Sequence, residues 1–310
     1  MPGIRLIAID LDGTLLHSDG HVSERNLAAI REAEARGIEV AIATGRRHCY
    51  AMRVLRELDR PENAALISSN GTVIRTLGSE LLHRSHMPLE TARWLCEHTR
   101  DFRGTLVLTF DKVLANGEDE RGSLVCERLE ELNASITRWM EVNEPYVELI
   151  APIERALEDA APIQMMLCGP MDRMREAEAH LLTDRRITNV EGQCAPGIEV
   201  VLHRTEYAHR DLCILDILPA GCSKASALRH LAELRGFDAG NIFAIGDNWN
   251  DLPMLQMAGR CAVMANAPGE LRALAAERGW IIAPSNDEDG VAVVIERALL
   301  GIRDLSAALH

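Results

Sequence analysis

Lysine is almost missing from this chain: of its 33 basic residues 31 are arginine, and only Lys112 and Lys224 are lysine. Aromatic residues are scarce, at 4%. The eight cysteines, at positions 49, 96, 126, 168, 194, 213, 222 and 261, contain no CxxC pair. That excludes an obvious zinc site or disulfide framework and leads us to expect reduced, structural thiols in a cytoplasmic protein. No window approaches the ~18 consecutive apolar residues of a membrane span. The apolar run from Ile4 to Ile9 is cut short by Asp10 and Asp12, too early for a signal-peptide core. Positive charge is in deficit, with 47 acidic residues giving a net charge of −14 and a pI near 5.3. Neither nucleic acid nor an anionic membrane is an expected partner of such a surface. His83 and His86 form an HxxH pair without a third ligand nearby and read as surface residues.

What is present is enough for a folded protein of about two domains: 310 residues, 47% hydrophobic and 26% charged. Ile4 to Ile9, apolar at every position but Arg5, has the pattern of a parallel strand buried on both faces. A helix follows from Asn26 to Arg36, with Ser23 as its cap and Gly37 as its stop. Next come a strand at Glu39 to Ala43, a helix from Arg47 to Leu58 and a strand at Ala64 to Ile67. This β-α-β-α-β order predicts a doubly wound parallel sheet. The last third repeats the rhythm, with strands at Ile242 to Ile245, Cys261 to Met264 and Trp280 to Ala283. The middle differs. It mixes longer strand-like runs with helices near 88–101, 121–132 and 170–182, and carries a net charge of −9 against −5 for the outer portions together. The expected organisation is an α/β core built from 1–82 and 207–310, interrupted by an inserted α+β domain over 83–206.

Polar signals gather where the strands end. Asp10-Leu11-Asp12-Gly13-Thr14 closes the first strand, Thr44-Gly45-Arg46 the second, and Gly246-Asp247-Asn248-Trp249-Asn250-Asp251 a later one, while Lys224 opens a helix. Open α/β sheets bind ligands at the carboxyl ends of their strands. Two carboxylates at i and i+2 of a strand face one side, and a hydroxyl with a Gly N–H at a helix start suits a phosphate. Taken singly, each signal also has a bland reading: an acidic turn, an N-cap, a surface lysine, or helix-start acids favoured by the dipole. Their concurrence is what points to a site.

Together these features resemble the haloacid dehalogenase superfamily of phosphohydrolases, through the motif DLDGTLL at Asp10 to Leu16. The detail is similar to its Cof-type subfamily: ATGR at Ala43 to Arg46, Asn70-Gly71, Ser223-Lys224, GDNWNDLPML at Gly246 to Leu255, Met264 to Ala267, and SNDEDGVA at Ser285 to Ala292. The motifs cover both outer portions; the middle matches only in size and position, as a cap domain. Thr72 and Ala225 depart from the usual residues without touching the chemistry, and the long stretch between Ile198 and Lys224 leaves the rear cap boundary open.

The resemblance implies a phosphatase of small phosphorylated metabolites, sugar phosphates above all, that forms an aspartyl-phosphate. A carboxylate approaching a phosphate dianion meets a repulsion of about 4 kcal/mol per unit-charge pair at ~4 Å and an effective dielectric near 20, hence the need for Mg²⁺ and a lysine. By resemblance, Mg²⁺ is held by Asp10, the Asp12 backbone carbonyl and Asp247, with Asp251 supporting that shell or orienting Lys224. Thr44, Gly45, Asn250 and Lys224 hold the phosphoryl oxygens. Asp10 is the nucleophile and Asp12 the general acid and base. Arg46 meets either the substrate or a carboxylate of the core. A phosphotransferase or phosphomutase would use the same intermediate, and a phospho-accepting signalling receiver is the remoter alternative. Oligomeric state is not legible.

Overall fold

The computed structural model describes residues 3–114, 116–128, 137–189, 196–207 and 211–301. The chain divides into two compact units, Met1–Leu82 with Ser223–His310, and His83–Cys222. In chain order the elements begin with β1 (Leu6–Asp10), α1 (Glu24–Ala35), β2 (Glu39–Ala43), α2 (His48–Leu55), β3 (Ala65–Ser68), β4 (Val73–Thr76) and β5 (Leu81–Arg84). Then come α3 (Leu89–His98), β6 (Leu106–Thr109), β7 (Leu124–Cys126), α4 (Thr137–Asn143), β8 (Val147–Leu149), β9 (Gln164–Gly169), α5 (Met171–Leu181), β10 (Ile187–Thr188), β11 (Val200–Tyr207) and β12 (Leu212–Pro219). The chain closes with α6 (Lys224–Arg235), β13 (Ile242–Gly246), α7 (Leu252–Met257), β14 (Arg260–Met264), α8 (Gly269–Glu277), β15 (Ile281–Ala283) and α9 (Gly290–Leu299).

The first unit is built on an eight-stranded sheet ordered β15-β14-β13-β1-β2-β3-β4-β5. All five residues of β1 are buried, and they serve two cores. Ile7 and Ile9 join the cluster that includes Leu27 and Ile30 of α1 and Val291 and Ile295 of α9. Leu6 and Ala8 join Leu228 and Leu231 of α6, Met254 of α7 and Leu271 of α8. An uninterrupted apolar strand is stable only with helices on both faces, which is the doubly wound arrangement. β1 pairs in parallel with β2 on one side and β13 on the other. The chain therefore winds outward from β1 to β3, then returns to β13 and winds the other way, and the reversal lies between β1 and β13. One departure from the parallel pattern is β4, which runs antiparallel to β3. The turn between them holds Asn70 at φ 52 and Gly71 at φ 95, the left-handed conformations a tight hairpin requires.

The second unit has a seven-stranded sheet ordered β10-β11-β12-β9-β6-β7-β8. One face buries Leu106, Leu108, Met165, Leu167 and Leu215 together with Leu95 of α3 and Leu181 of α5. The rear boundary lies at 222/223, not at 206/207. The reason is β12, which is paired antiparallel with both β11 and β9 and so is an interior strand of this sheet. The helix expected near 121–132 is also corrected: Leu124–Cys126 is β7, antiparallel to β6 and parallel to β8, while 129–132 lie outside the described residues, as does Cys194. The seven described cysteines are buried thiols outside any disulfide; burial pushes the thiols of Cys96 and Cys126 up to about 12. Among the described residues no helix is long and apolar enough to cross a membrane.

Candidate active site

Register brings the strand-end residues level with one another. Asp10 is the partner of Ala43 on β2, and Ile9 pairs with Ile245 on β13, which places Asp10 level with Gly246. Thr44 and Asp247 each stand one residue beyond, at the same end of the sheet and beside the reversal point where such sheets bind ligands.

Four charged side chains meet there. The Lys224 ammonium donates to Asp10 Oδ1 at 2.5 Å and to Asp251 Oδ1 at 2.7 Å. Lys224 is 1% exposed, Asp251 0%, Asp10 5% and Asp247 9%, so water screens none of these charges well. The second Asp251 oxygen accepts the backbone N–H groups of Asp247 and Asn248, both at 3.0 Å. Both oxygens of Asp251 are thus spent on shaping the loop and on Lys224, which suits a supporting residue. Asp247 Oδ1 accepts the Thr14 hydroxyl at 2.9 Å. Burial alone would lower the Lys224 ammonium, but Asp10 and Asp251 outweigh it and hold it above its ordinary value. Burial, then the Asp251 charge, raises Asp10 well above the carboxylate range against the opposing pull of Lys224. The same two causes push Asp247 up to about 7, against the Thr14 hydrogen bond.

Two glycines permit this crowding. Gly13 has φ 76, and a Cβ there would lie 2.5 Å from Asp247 Oδ2. Gly71 has φ 95, and its Cβ would lie 2.1 Å from the carbonyl oxygen of Ser223, the residue before Lys224. The Ser223 hydroxyl caps the helix by accepting the Ser226 N–H at 3.1 Å, which fixes where Lys224 begins.

The phosphate-binding candidates lie along the neighbouring strand ends. Thr44 is buried; its hydroxyl oxygen accepts the Arg46 N–H at 3.1 Å, leaving its own proton to donate. The Gly45 N–H has no acceptor among the described residues. Asn250 donates its side-chain amide to Asn70 Oδ1 at 3.5 Å, and Asn70 Oδ1 also lies 3.0 Å from where a Cβ on Gly45 would stand. Asn70 therefore bonds Asn250 and stands close beside Gly45, a placement that its Asn-Gly turn signature did not reveal. Thr14 and Asn266 are likewise site residues to which sequence reasoning assigned no role; Asn266 donates to the Gly13 carbonyl at 2.7 Å. Asp12 stands outside the buried group. Its side chain is 51% exposed, and Arg46 grips both its oxygens, Nε to Oδ2 at 2.8 Å and Nη2 to Oδ1 at 2.5 Å. The core carboxylate, one of the two partners open to Arg46, is thus in contact with it.

The acidic group fits a hard cation. Asp10, Asp247 and Asp251 place carboxylate oxygens within 4.8 Å of one another. Three buried carboxylates face one ammonium, and no protein donor among the described residues reaches Asp10 Oδ2 or Asp247 Oδ2. An all-oxygen donor set with uncompensated negative charge suits Mg²⁺ or a similar ion. His83 lies within hydrogen-bond distance of the Ser85 hydroxyl, at 3.0 Å, and among the described residues it joins no such ligand group.

Known proteins place this geometry in context. The family model described as haloacid dehalogenase-like hydrolase matches residues 7–295. The chain is 30% identical over 312 residues to the 5-amino-6-(5-phospho-D-ribitylamino)uracil phosphatase YwtE of Bacillus subtilis, covering 96% of this chain and 99% of that one. It is 29% identical to the chloroplastic endoribonuclease YBEY of Arabidopsis thaliana over 96% of its own length, but spans only 47% of that protein. It is 27% identical to the HMP-PP phosphatase of Escherichia fergusonii, covering 87% of each. Among solved structures, a haloacid dehalogenase-like hydrolase from Bacteroides thetaiotaomicron matches with a TM-score of 0.71 and 26% identity, over 95% of this chain and 99% of that one. With a buried Asp–Lys–Asp cluster at the reversal point of its sheet and a family match across nearly its whole length, the chain belongs to the haloacid dehalogenase-like hydrolases.

Proposed function

We propose that this protein is an Mg²⁺-dependent phosphatase of small phosphorylated metabolites that works through an aspartyl-phosphate on Asp10. The observation that carries the reading is the Lys224 ammonium, buried and bonded to both Asp10 and Asp251. A lysine so placed offsets the negative charge that a phosphoryl group brings to a carboxylate nucleophile. Asp10, Asp247 and the Asp12 carbonyl would hold Mg²⁺, which when bound supplies further charge neutralisation to the phosphoryl oxygens.

In the first step an Asp10 oxygen bonds to phosphorus as the ester P–O bond breaks, and Asp12 gives a proton to the departing alkoxide. In the second, Asp12 takes a proton from water as the water oxygen bonds to phosphorus and the Asp10–phosphorus bond breaks. Thr44, the Gly45 N–H, Asn250 and Lys224 hold the non-bridging oxygens throughout, while Asp251 keeps Lys224 in place. The second unit selects the substrate. Its part of the chain is strongly acidic, which disfavours polyanions and favours monophosphates such as sugar phosphates. YwtE, whose named substrate carries a phosphorylated sugar-alcohol chain, supports that class.

The test is release of inorganic phosphate from a panel of phosphorylated metabolites with Mg²⁺ and no acceptor alcohol. Release that stops in excess EDTA is expected. Full turnover in EDTA overturns the metal dependence, and transfer that requires an added acceptor identifies a phosphotransferase.

A further inference from the structure

Asp12 has the exposure of a surface side chain, 51%, yet the proposed chemistry asks it to meet first a leaving oxygen and then a water. A proton-transfer group works only within hydrogen-bond reach, about 2.6–3.2 Å, and a half-exposed carboxylate free to rotate spends little time there. The bidentate contact from Arg46 removes that freedom, because two parallel N–H···O bonds fix both the direction and the plane of a carboxylate. Arg46 is itself held at three points. Its N–H donates to Thr44 Oγ1 at 3.1 Å, its carbonyl accepts the Ser69 N–H at 2.8 Å, and its guanidinium lies 4.7 Å from the centre of the Tyr50 ring.

We propose that Arg46 is the positioning residue for Asp12, with Tyr50 bracing the guanidinium from α2. Exposed ion pairs add little to stability, so the fork is of more use for geometry than for holding the fold. A carboxylate offers about four lone-pair directions; Arg46 fills two, and the others stay open to the leaving oxygen and the water. Arg46 thereby joins the end of β2, where Thr44 and Gly45 lie, to the loop after β1, where Asp10 and Asp12 lie. The inference rests on the phosphatase reading above.

Full-length parent, Arg46→Gln, Arg46→Lys and Tyr50→Leu are compared with Mg²⁺ on phosphate esters of graded leaving groups, from 4-nitrophenyl phosphate to alkyl phosphates. A nitrophenolate departs without a proton, whereas an alkoxide needs one. In kcat/KM, which reports the step in which the leaving group departs, Arg46→Gln should lose at least about ten-fold on alkyl esters, part of the roughly 10²–10⁴ of general acid catalysis, and little on the nitrophenyl ester. Its kcat should fall on both, because the second step needs Asp12 with every substrate. Arg46→Lys should recover only part of the loss, added guanidinium ion should raise the activity of Arg46→Gln, and Tyr50→Leu should show the same pattern at smaller size. Tyr50→Leu also serves should Arg46→Gln fail to fold. Equal kcat/KM losses on both ester classes, or a raised KM with unchanged kcat, would make Arg46 a substrate or phosphate contact and overturn the proposal. Unchanged kinetics in every variant would overturn it too. A parent that hydrolyses no phosphate ester removes the phosphatase reading and this one with it, a result distinct from an active parent with insensitive variants.

Discussion

The Lys224 ammonium lies 2.5 Å from Asp10 Oδ1 across 214 positions of chain, and both side chains are buried. It touches Asp251 as well, at 2.7 Å, so one compact group satisfies two carboxylates. A guanidinium is broad and planar and needs more room than this contact leaves. Lys224→Arg should therefore lose at least about 10²-fold in kcat/KM, the scale of a ~1 Å misplacement, although charge is conserved. Lys112→Arg, in the second unit, should be silent. The check is steady-state kinetics on both variants; activity of Lys224→Arg within a few-fold of the parent would make the lysine incidental in a chain that otherwise uses arginine.

Asp12→Asn should leave metal binding nearly intact, because the proposed ligand there is the backbone carbonyl. Turnover should fall by roughly 10²–10⁴-fold, the usual contribution of general acid–base catalysis. Calorimetric Mg²⁺ titration beside phosphate-release kinetics separates the two effects. Loss of Mg²⁺ affinity alone would reassign the residue.

Gly13→Ala tests the close approach of Asp247. A methyl group there meets Asp247 Oδ2 at 2.5 Å with the backbone at φ 76, and the left-handed conformation alone costs roughly 1–2 kcal/mol. A lower thermal midpoint and weakened Mg²⁺ binding are expected together. Unchanged Mg²⁺ affinity in a folded variant would show that Asp247 is not needed for the ion.

Acid should weaken the second unit through His98. Its ring stacks on Trp94 at 5.0 Å and on His180 at 4.5 Å between ring centres, and its Nε2 is buried without a partner. Burial, then the neighbouring His180, lowers its pKa below 6.5. The folded state thus binds the proton less readily than the unfolded chain, so the stacking is fully stabilising above about pH 6.5 and its contribution is lost as the pH falls through the lowered value. Thermal melts at pH 7.5 and pH 5 should show a smaller acid loss for His98→Phe than for the parent. An identical loss in both would place the acid sensitivity elsewhere.

The core was legible in the local pattern of residues. β1 is apolar at every position before Asp10, and such a strand is soluble only when helices cover both faces. The alternating elements on either side then compel a doubly wound sheet, whose strand ends must carry Asp10, Thr44 and Asp247. Local chemistry also marked the Ser223 cap ahead of Lys224. Tertiary structure alone decided the rest. β12 belongs to the second unit because its pairing partners, β11 and β9, lie there, and strand pairing over such separations leaves no trace in local periodicity. For the same reason no spacing rule could show that Asn70 bonds Asn250 or that Thr14 bonds Asp247. Arg46 had two possible partners on the sequence; only the meeting of two neighbouring strand ends, with a ring of α2 beneath the guanidinium, gave it to Asp12.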